Sequence, residues 1–74
     1  MPTIKNFGGF RITMYFEDHN PPHFQIVSPT QQAVVEIATL TVIAGAISAS
    51  RLRVALAWAG DNKELLSRKW NELH

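Results

Sequence analysis

The chain has 74 residues, of which seven are basic and six acidic, so its formal net charge is only +1. Folding of so short a chain removes only about 60% of its unfolded surface from water, which leaves room for one hydrophobic core. We therefore expect a single domain over residues 1–74. Because the charges are mixed along the chain, any nucleic-acid binding must come from a local patch.

Composition also limits the chemistry and the location of the protein. There is no cysteine, which excludes disulfides, thiolate metal sites and thiol nucleophiles. The N-terminal residues lack the apolar stretch of a signal peptide, and the most apolar segment, residues 33–49, is interrupted by Glu36. We expect a cytoplasmic protein without a membrane span.

Residues 10–16 alternate between apolar and polar side chains, which is the period of a half-buried β-strand. Gly8 and Gly9 predict a turn before this strand. The segment Asp18-His19-Asn20-Pro21-Pro22 ends the alternation, because proline lacks a backbone donor and restricts the residue before it. The sequence thus predicts a first strand followed by a stiff loop.

The alternation resumes over residues 23–27 and predicts a second strand, antiparallel to the first. Phe24 and Ile26 must then share the core face with the apolar residues of the first strand. The opposite face is rich in groups that donate and accept protons, so we expect the chemistry there. The residues predicted on that face are Arg11, Thr13, Tyr15, Glu17, His23 and Gln25.

The remainder of the chain predicts two more strands and then helices. Residues 33–37 are rich in β-branched side chains, and residues 41–44 are a candidate fourth strand. Apolar residues at helical spacing follow. We predict an α+β fold, with a small antiparallel sheet of three to four strands followed by one or two C-terminal helices packed on one face.

The ends of the predicted helices are indicated by capping residues. Ser48 or Ser50 can cap the first helix, and Gly60 is expected at its C′ position. Asp61 then predicts a second N-cap, with Glu64 at N3 in a capping box.

Aromatic residues of the same region are expected to have structural roles. Trp58 and Trp70 lie at apolar helical positions and predict core or partner-interface contacts. His74 is terminal, and we expect it to be disordered.

Two histidines, His19 and His23, flank a diproline and lie beside Asp18. Imidazole exchanges a proton near neutral pH, so the pair could act as general acid and base, with Asp18 orienting one ring. Alternatively, the histidines and a carboxylate from Asp18 or Glu17 could hold a divalent metal, although we expect no cofactor. A third interpretation is structural, with the histidines flanking a rigid turn in which Asp18 bonds the backbone.

Three arginines are candidates for binding a phosphate or a carboxylate. Arg11 lies on the predicted polar face, while Arg51 and Arg53 are expected in the first turn of the helix, where backbone N–H groups add positive potential. The alternative is that Arg51 and Arg53 are solvated and cover apolar neighbours with their stems. Tyr15 could donate a proton or stack on a base, although an exposed tyrosine on a sheet often does neither.

Several segments occur in the order of a known family, and the diproline with its two histidines is the specific part. The matching residues are Pro2-Thr3-Ile4, Gly9-Phe10-Arg11, Tyr15, Asp18-His19-Asn20-Pro21-Pro22-His23-Phe24, Ala33-Val34, Leu52-Arg53, Ala57-Trp58, Glu64-Leu65-Leu66 and Trp70. In these residues the whole chain resembles the small bacterial domain-of-unknown-function family 4160.

The resemblance implies the toxin of a toxin–antitoxin pair, because members of that family look like one half of compact two-gene modules. The implied partner is a cognate small antitoxin, which would cover some exposed apolar surface. RNA is a candidate substrate. A second copy of the same chain is a further candidate partner, in a homo-oligomer. In this interpretation Asp18, His19 and His23 would form the toxic site.

One position departs from the family pattern, which usually continues His-x-His after the diproline. Here the second of those positions is Gln25, whose amide can bond a substrate but cannot take a proton or serve as a good metal ligand. A three-histidine site is therefore not available. Either the position is not essential, or activity is altered or lost, or the residue was changed so that the protein could be produced safely.

Our leading hypothesis is thus a toxin that acts on RNA, with histidines that handle protons and arginines that neutralise phosphate. The rivals are a non-enzymatic protein-binding or regulatory module and a small metal-binding protein. The predicted catalytic residues are His19, His23, Asp18, Tyr15 and Gln25, and the predicted substrate-binding residues are Arg11, Arg51 and Arg53.

Overall fold

The computed structural model describes residues 3–15 and 19–74, and it shows an antiparallel sheet followed by two helices. The strands are ordered β1-β2-β3-β4-β5 across the sheet, so each pairs with its neighbour in the chain. This confirms the predicted α+β class, with one strand more than expected. The elements are β1 Thr3–Asn6, β2 Arg11–Thr13, β3 His23–Val27, β4 Gln32–Glu36, β5 Val42–Ala46, α1 Ala49–Asp61 and α2 Lys63–Leu73.

The first strand of the sheet, β1, is the one that the sequence did not predict. It has four residues, three of them exposed, so it carries no clear alternation. It is formed by pairing with β2 across a turn in which Gly8 has a φ of 99°, a value that favours glycine. The side-chain oxygen Oδ1 of Asn6 accepts a hydrogen bond of 2.8 Å from the Gly8 N–H and closes this turn.

The second strand is shorter than its sequence pattern predicts. Alternation extended over residues 10–16, whereas β2 comprises Arg11–Thr13. Met14 follows the strand and is still fully buried. Met14 and Tyr15 are already outside the strand, so β2 ends earlier than predicted. Phe16 and Glu17 lie outside the described residues.

One face of the sheet packs against both helices, as predicted. The register places Ile12 opposite Ile26, and Phe24 opposite Val35. Removing each large apolar side chain from water contributes about 1.5–3 kcal/mol, so this face holds the fold together. The buried core comprises Ile12, Met14, Phe24, Ile26, Val35, Ile37, Ala55, Ala59, Leu66 and Trp70.

The boundary between the two helices differs from the prediction. Gly60 and Asp61 both lie within α1, so Gly60 is not a C′ residue and Asp61 is not an N-cap. The break is at Asn62, with φ −130° and ψ 25°, where the side-chain Nδ2 donates to the Trp58 carbonyl at 2.8 Å. Asn62 is therefore the N-cap position of α2, and Glu64 is its second residue and not its third.

The start of α1 agrees with the prediction in position but not in mechanism. Ser48 is the N-cap residue, yet its side chain makes no capping hydrogen bond. Its backbone N–H instead donates to Oε1 of Gln31 at 3.1 Å, which ties the helix to the turn between β3 and β4. Within residues 3–15 and 19–74, neither helix is long and apolar enough to cross a bilayer.

Candidate functional site

The sheet face away from the helices carries three of the polar residues that the strand alternation predicted, namely Arg11, Thr13 and Gln25. Gln25 is paired with Thr13 of β2, and Arg11 is paired with Val27 of β3, so the side chains of these residues share that face. Thr13, however, is only 1% exposed, because it lies on an inner strand between Thr3 and Gln25 in the register. It is a buried residue and not an accessible proton donor.

The predicted site residues do not form one cluster, because they lie at the two ends of β3. His23 begins the strand and pairs with Glu36, whereas Arg11 pairs with Val27 at the other end. His23 and Val27 are four positions apart along β3, which corresponds to about 13 Å at the strand rise of roughly 3.3 Å per residue. We call the first region the histidine end, defined by His19, His23 and Glu36.

His23 is held in a defined orientation at the histidine end. Its ring nitrogen Nδ1 lies 2.8 Å from the Pro21 carbonyl oxygen. Since a carbonyl oxygen can only accept, Nδ1 carries the proton and Nε2 carries the lone pair of the neutral ring. The backbone of the diproline loop therefore orients the His23 ring; the role that the sequence suggested for Asp18 stays a prediction. Asp18 itself lies outside the described residues.

The His23 ring packs against the second helix, so it is turned toward the helices at the end of β3 and does not lie out on the polar face as the alternation predicted. Its centroid lies 5.0 Å from that of Trp70, which is 5% exposed. His74 stacks on the same indole at 3.8 Å, and its Nδ1 bonds the Trp70 carbonyl at 2.8 Å. His74 is therefore ordered, contrary to the prediction, because the indole and the last helical turn both hold it. Trp70 is confirmed as a core residue.

A carboxylate beside His23 was missed by the sequence reasoning. Glu36 is the direct cross-strand partner of His23, a relation that puts the two Cβ atoms about 4.5–5.5 Å apart. Its Oε1 accepts a hydrogen bond of 3.2 Å from Thr39 Oγ1. The sequence placed Glu36 within a predicted strand, but only the β3–β4 register shows that it faces the histidine.

The other predicted catalytic residues differ in accessibility. His19 is exposed on the loop, while Gln25 is half-buried two positions after His23 on β3. Tyr15 is half-buried and lies two residues beyond the end of β2. The histidine end therefore contains the exposed imidazole of His19 and the oriented imidazole of His23, and the amide of Gln25 lies two residues further along β3.

At the opposite end of β3, a cavity of about 360 Å³ opens beside the turn between β1 and β2. We call it the arginine pocket. None of the described residues that line it is acidic. Its lining includes Asn6, Gly8, Gly9, Arg11, Val27 and Ser28.

Arg51 and Arg53 take different positions on α1. A Cβ atom built on Gly9 would lie 4.0 Å from Arg51 Nη2, so this guanidinium lies against the turn that borders the arginine pocket. Arg53 is the fifth residue of α1 and not part of its first turn, and it is exposed. Two positions along a helix correspond to about 200° of rotation, so Arg53 points away from Arg51.

The interpretation of the histidines as metal ligands can be compared with only part of the structure. Among residues 3–15 and 19–74, no three histidine, aspartate or glutamate side chains gather as a ligand set. The set that the sequence proposed also includes Asp18 or Glu17, which lie outside the described residues.

Comparison with known proteins gives a family. The model of a family described as "Domain of unknown function (DUF4160)" matches residues 9–71. The chain belongs to this family. The match includes the diproline loop, all of β2 to β5 and nearly all of both helices. No curated protein and no solved structure matches the chain.

Proposed function

We propose that this chain is the toxin of a cytoplasmic two-protein toxin–antitoxin module and that it acts on RNA through histidine acid/base chemistry. The observation that carries the proposal is the orientation of His23. Because its Nδ1 proton is directed to the Pro21 carbonyl, Nε2 is the nitrogen that can accept a proton. A fixed tautomer is what a general base needs.

The proposed reaction is cleavage of the RNA backbone by the adjacent ribose hydroxyl. The 2′-hydroxyl gives its proton to His23 Nε2, its oxygen bonds to phosphorus, and the bond from phosphorus to the 5′ oxygen breaks. His19, which is exposed on the loop, donates a proton to that leaving oxygen. Gln25 donates an amide N–H to a phosphate oxygen.

Gln25 is expected to limit this activity, since the family pattern usually has a histidine there. An amide cannot carry the positive charge with which a protonated imidazole would stabilise the transition state. Gln25 lies two residues from His23 on β3, and in this proposal a histidine at this position adds its charge beside the phosphate. A Gln25→His variant is therefore expected to be the more toxic form.

The antitoxin, in this proposal, binds the strand β5. All five of its residues are exposed, and it carries the exposed apolar side chains of Val42 and Ile43. It is the last strand in the sheet order of the described residues, so its outer backbone groups can pair with another chain. A homodimer through the same strand is the competing use of this edge.

A non-enzymatic docking module is the second candidate function, and the contact between His23 and Trp70 favours it. A histidine that packs on a buried indole 5.0 Å away has a structural reason to occur in the motif. In that case His19 and His23 shape a rigid loop that binds a partner protein. RNA would then stay intact on expression of the protein, whether or not His19 and His23 are replaced with alanine.

The deciding experiment is induced expression in bacteria, with growth and RNA integrity measured together. We expect the Gln25→His variant to arrest growth and degrade RNA, and addition of His23→Ala to abolish both effects. Gln32→His is the matched control, because Gln32 is exposed near the other end of the sheet, opposite Val27. The absence of a growth defect from Gln25→His, or its persistence after His23→Ala, contradicts the proposal.

A further inference from the structure

The arginine pocket combines features that the proposed reaction at the histidine end does not use. Its cavity of about 360 Å³ lies within the size range of small-molecule sites, roughly 300–1,000 Å³. Arg11 lines it, and Arg51 lies against Gly9 at its border. Two permanently charged guanidinium groups therefore approach one glycine turn from a strand and from a helix.

Neither guanidinium is neutralised by a residue in the described part of the chain. Within residues 3–15 and 19–74, Arg11 and Arg51 form no ion pair, and their side chains form no hydrogen bond. The described residues that line the pocket contribute no carboxylate. Since an unneutralised cation beside a concave surface attracts an anion, the charge of this pocket defines the class of its ligand.

The polar groups around Arg11 present hydrogen-bond donors. Asn6 Oδ1 is already engaged by the Gly8 N–H at 2.8 Å, which leaves the Asn6 amide hydrogens to donate. The turn at Gly8 and Gly9 has no side chains, so a ligand can approach its backbone closely. Ser28 adds no donor, because its Oγ already donates its proton to the Gln31 carbonyl at 3.1 Å.

We propose that the arginine pocket binds the phosphate group of a nucleotide-sized ligand. A guanidinium binds phosphate oxygens through two parallel hydrogen bonds, which a single lysine ammonium cannot do. The volume exceeds that needed for a bare ion and accommodates part of a sugar or base, with Val27 as apolar lining. This inference does not depend on toxin activity, because it concerns the opposite end of β3.

The test is an NMR titration of the purified, ¹⁵N-labelled protein at constant ionic strength. The probes are inorganic phosphate, adenosine 5′-monophosphate and adenosine. Both phosphate probes are expected to shift the amides of Gly8, Gly9 and Arg11, and adenosine is not. Tighter binding of the nucleotide than of inorganic phosphate identifies the nucleotide as the source of the phosphate, whereas equal binding identifies free phosphate.

Substitutions of single arginines test whether phosphate binds in the arginine pocket. Arg11→Gln is expected to weaken phosphate binding about tenfold, since it removes a charge-assisted contact. Arg51→Gln is expected to weaken it about threefold, since it removes a positive charge at the border of the pocket. Arg53→Gln is the matched control, with the same charge change on the same helix, and should alter affinity less than about twofold. Arg11→Lys should be intermediate. No binding at millimolar phosphate, or an equal loss in Arg53→Gln, overturns the inference.

Discussion

The two ends of β3 carry polar residues under opposite structural conditions. At the histidine end, His23 is half-buried, its Nδ1 bonds the Pro21 carbonyl, and its ring packs on Trp70. In the arginine pocket, Arg11 is exposed and beside a glycine turn. The contacts at the histidine end hold the ring of His23 in one orientation, while the arginine pocket leaves the positive charge of Arg11 available to a ligand. The comparison indicates two sites with different chemistry.

The largest effect is expected from Phe24→Ala, which removes the core side chain between the two ends. Phe24 is fully buried on a central strand, so its truncation should lower the free energy of unfolding by about 3–5 kcal/mol. Urea denaturation followed by tryptophan fluorescence measures this loss. Val54→Ala, at a residue that is 48% exposed, is the control and should change stability by less than about 0.5 kcal/mol.

Thr13→Val tests the residue that lies between the two ends on β2. Thr13 Oγ1 is buried and has no hydrogen-bond partner among residues 3–15 and 19–74, and such a hydroxyl costs about 1–3 kcal/mol. The isosteric valine should therefore raise the free energy of unfolding by about 1 kcal/mol, measured by the same urea titration. Thr3→Val, at an exposed residue, should be neutral. A destabilised Thr13→Val variant would mean that the hydroxyl is bonded.

His23→Ala tests whether the histidine end has a structural role as well as a chemical one. The substitution removes the hydrogen bond to Pro21 and the contact with Trp70, which together should cost about 1 kcal/mol. His19→Ala is the matched variant, because His19 is exposed, and it should cost less than about 0.5 kcal/mol. Equal losses in thermal unfolding would remove the distinction between the two histidines.

The smallest effect on stability is expected from Arg11→Gln. Arg11 is exposed, and in the described part of the chain it has no ion pair, so thermal unfolding should change by less than about 0.5 kcal/mol. Phosphate binding should fall in the same variant, as described above. A substantial loss of stability would show that Arg11 supports the fold and is not held for a ligand.

Much of the fold could be predicted because the apolar period of the chain is regular. Phe24 and Ile26 on β3 and Trp70 on α2 were predicted from their apolar spacing, and the structure buries all three. β1 could not be predicted, because four mostly exposed residues acquire strand structure only by pairing with β2. The helix junction was misplaced because glycine at position 60 remains helical while Asn62 ends α1.

The candidate site was only partly predictable, because sequence alternation gives the face of a residue but not its position across the sheet. Arg11 was correctly expected on the polar side of its strand, whereas the ring of His23 packs against Trp70 of α2. The register places the two residues at opposite ends of β3. The same register brings Glu36 beside His23. The contact of Arg51 with the Gly9 turn depends on how α1 packs, which no local pattern records.

The phosphate affinity of the His23→Ala variant tests the separation of the two sites most directly. Phosphate is titrated into this variant and into the unsubstituted protein, with the Gly9 amide as the reporter. We predict affinities within about twofold of each other, because His23 lies four residues along β3 from the paired position of Arg11. A loss as large as that caused by Arg11→Gln would contradict the account and indicate one continuous site.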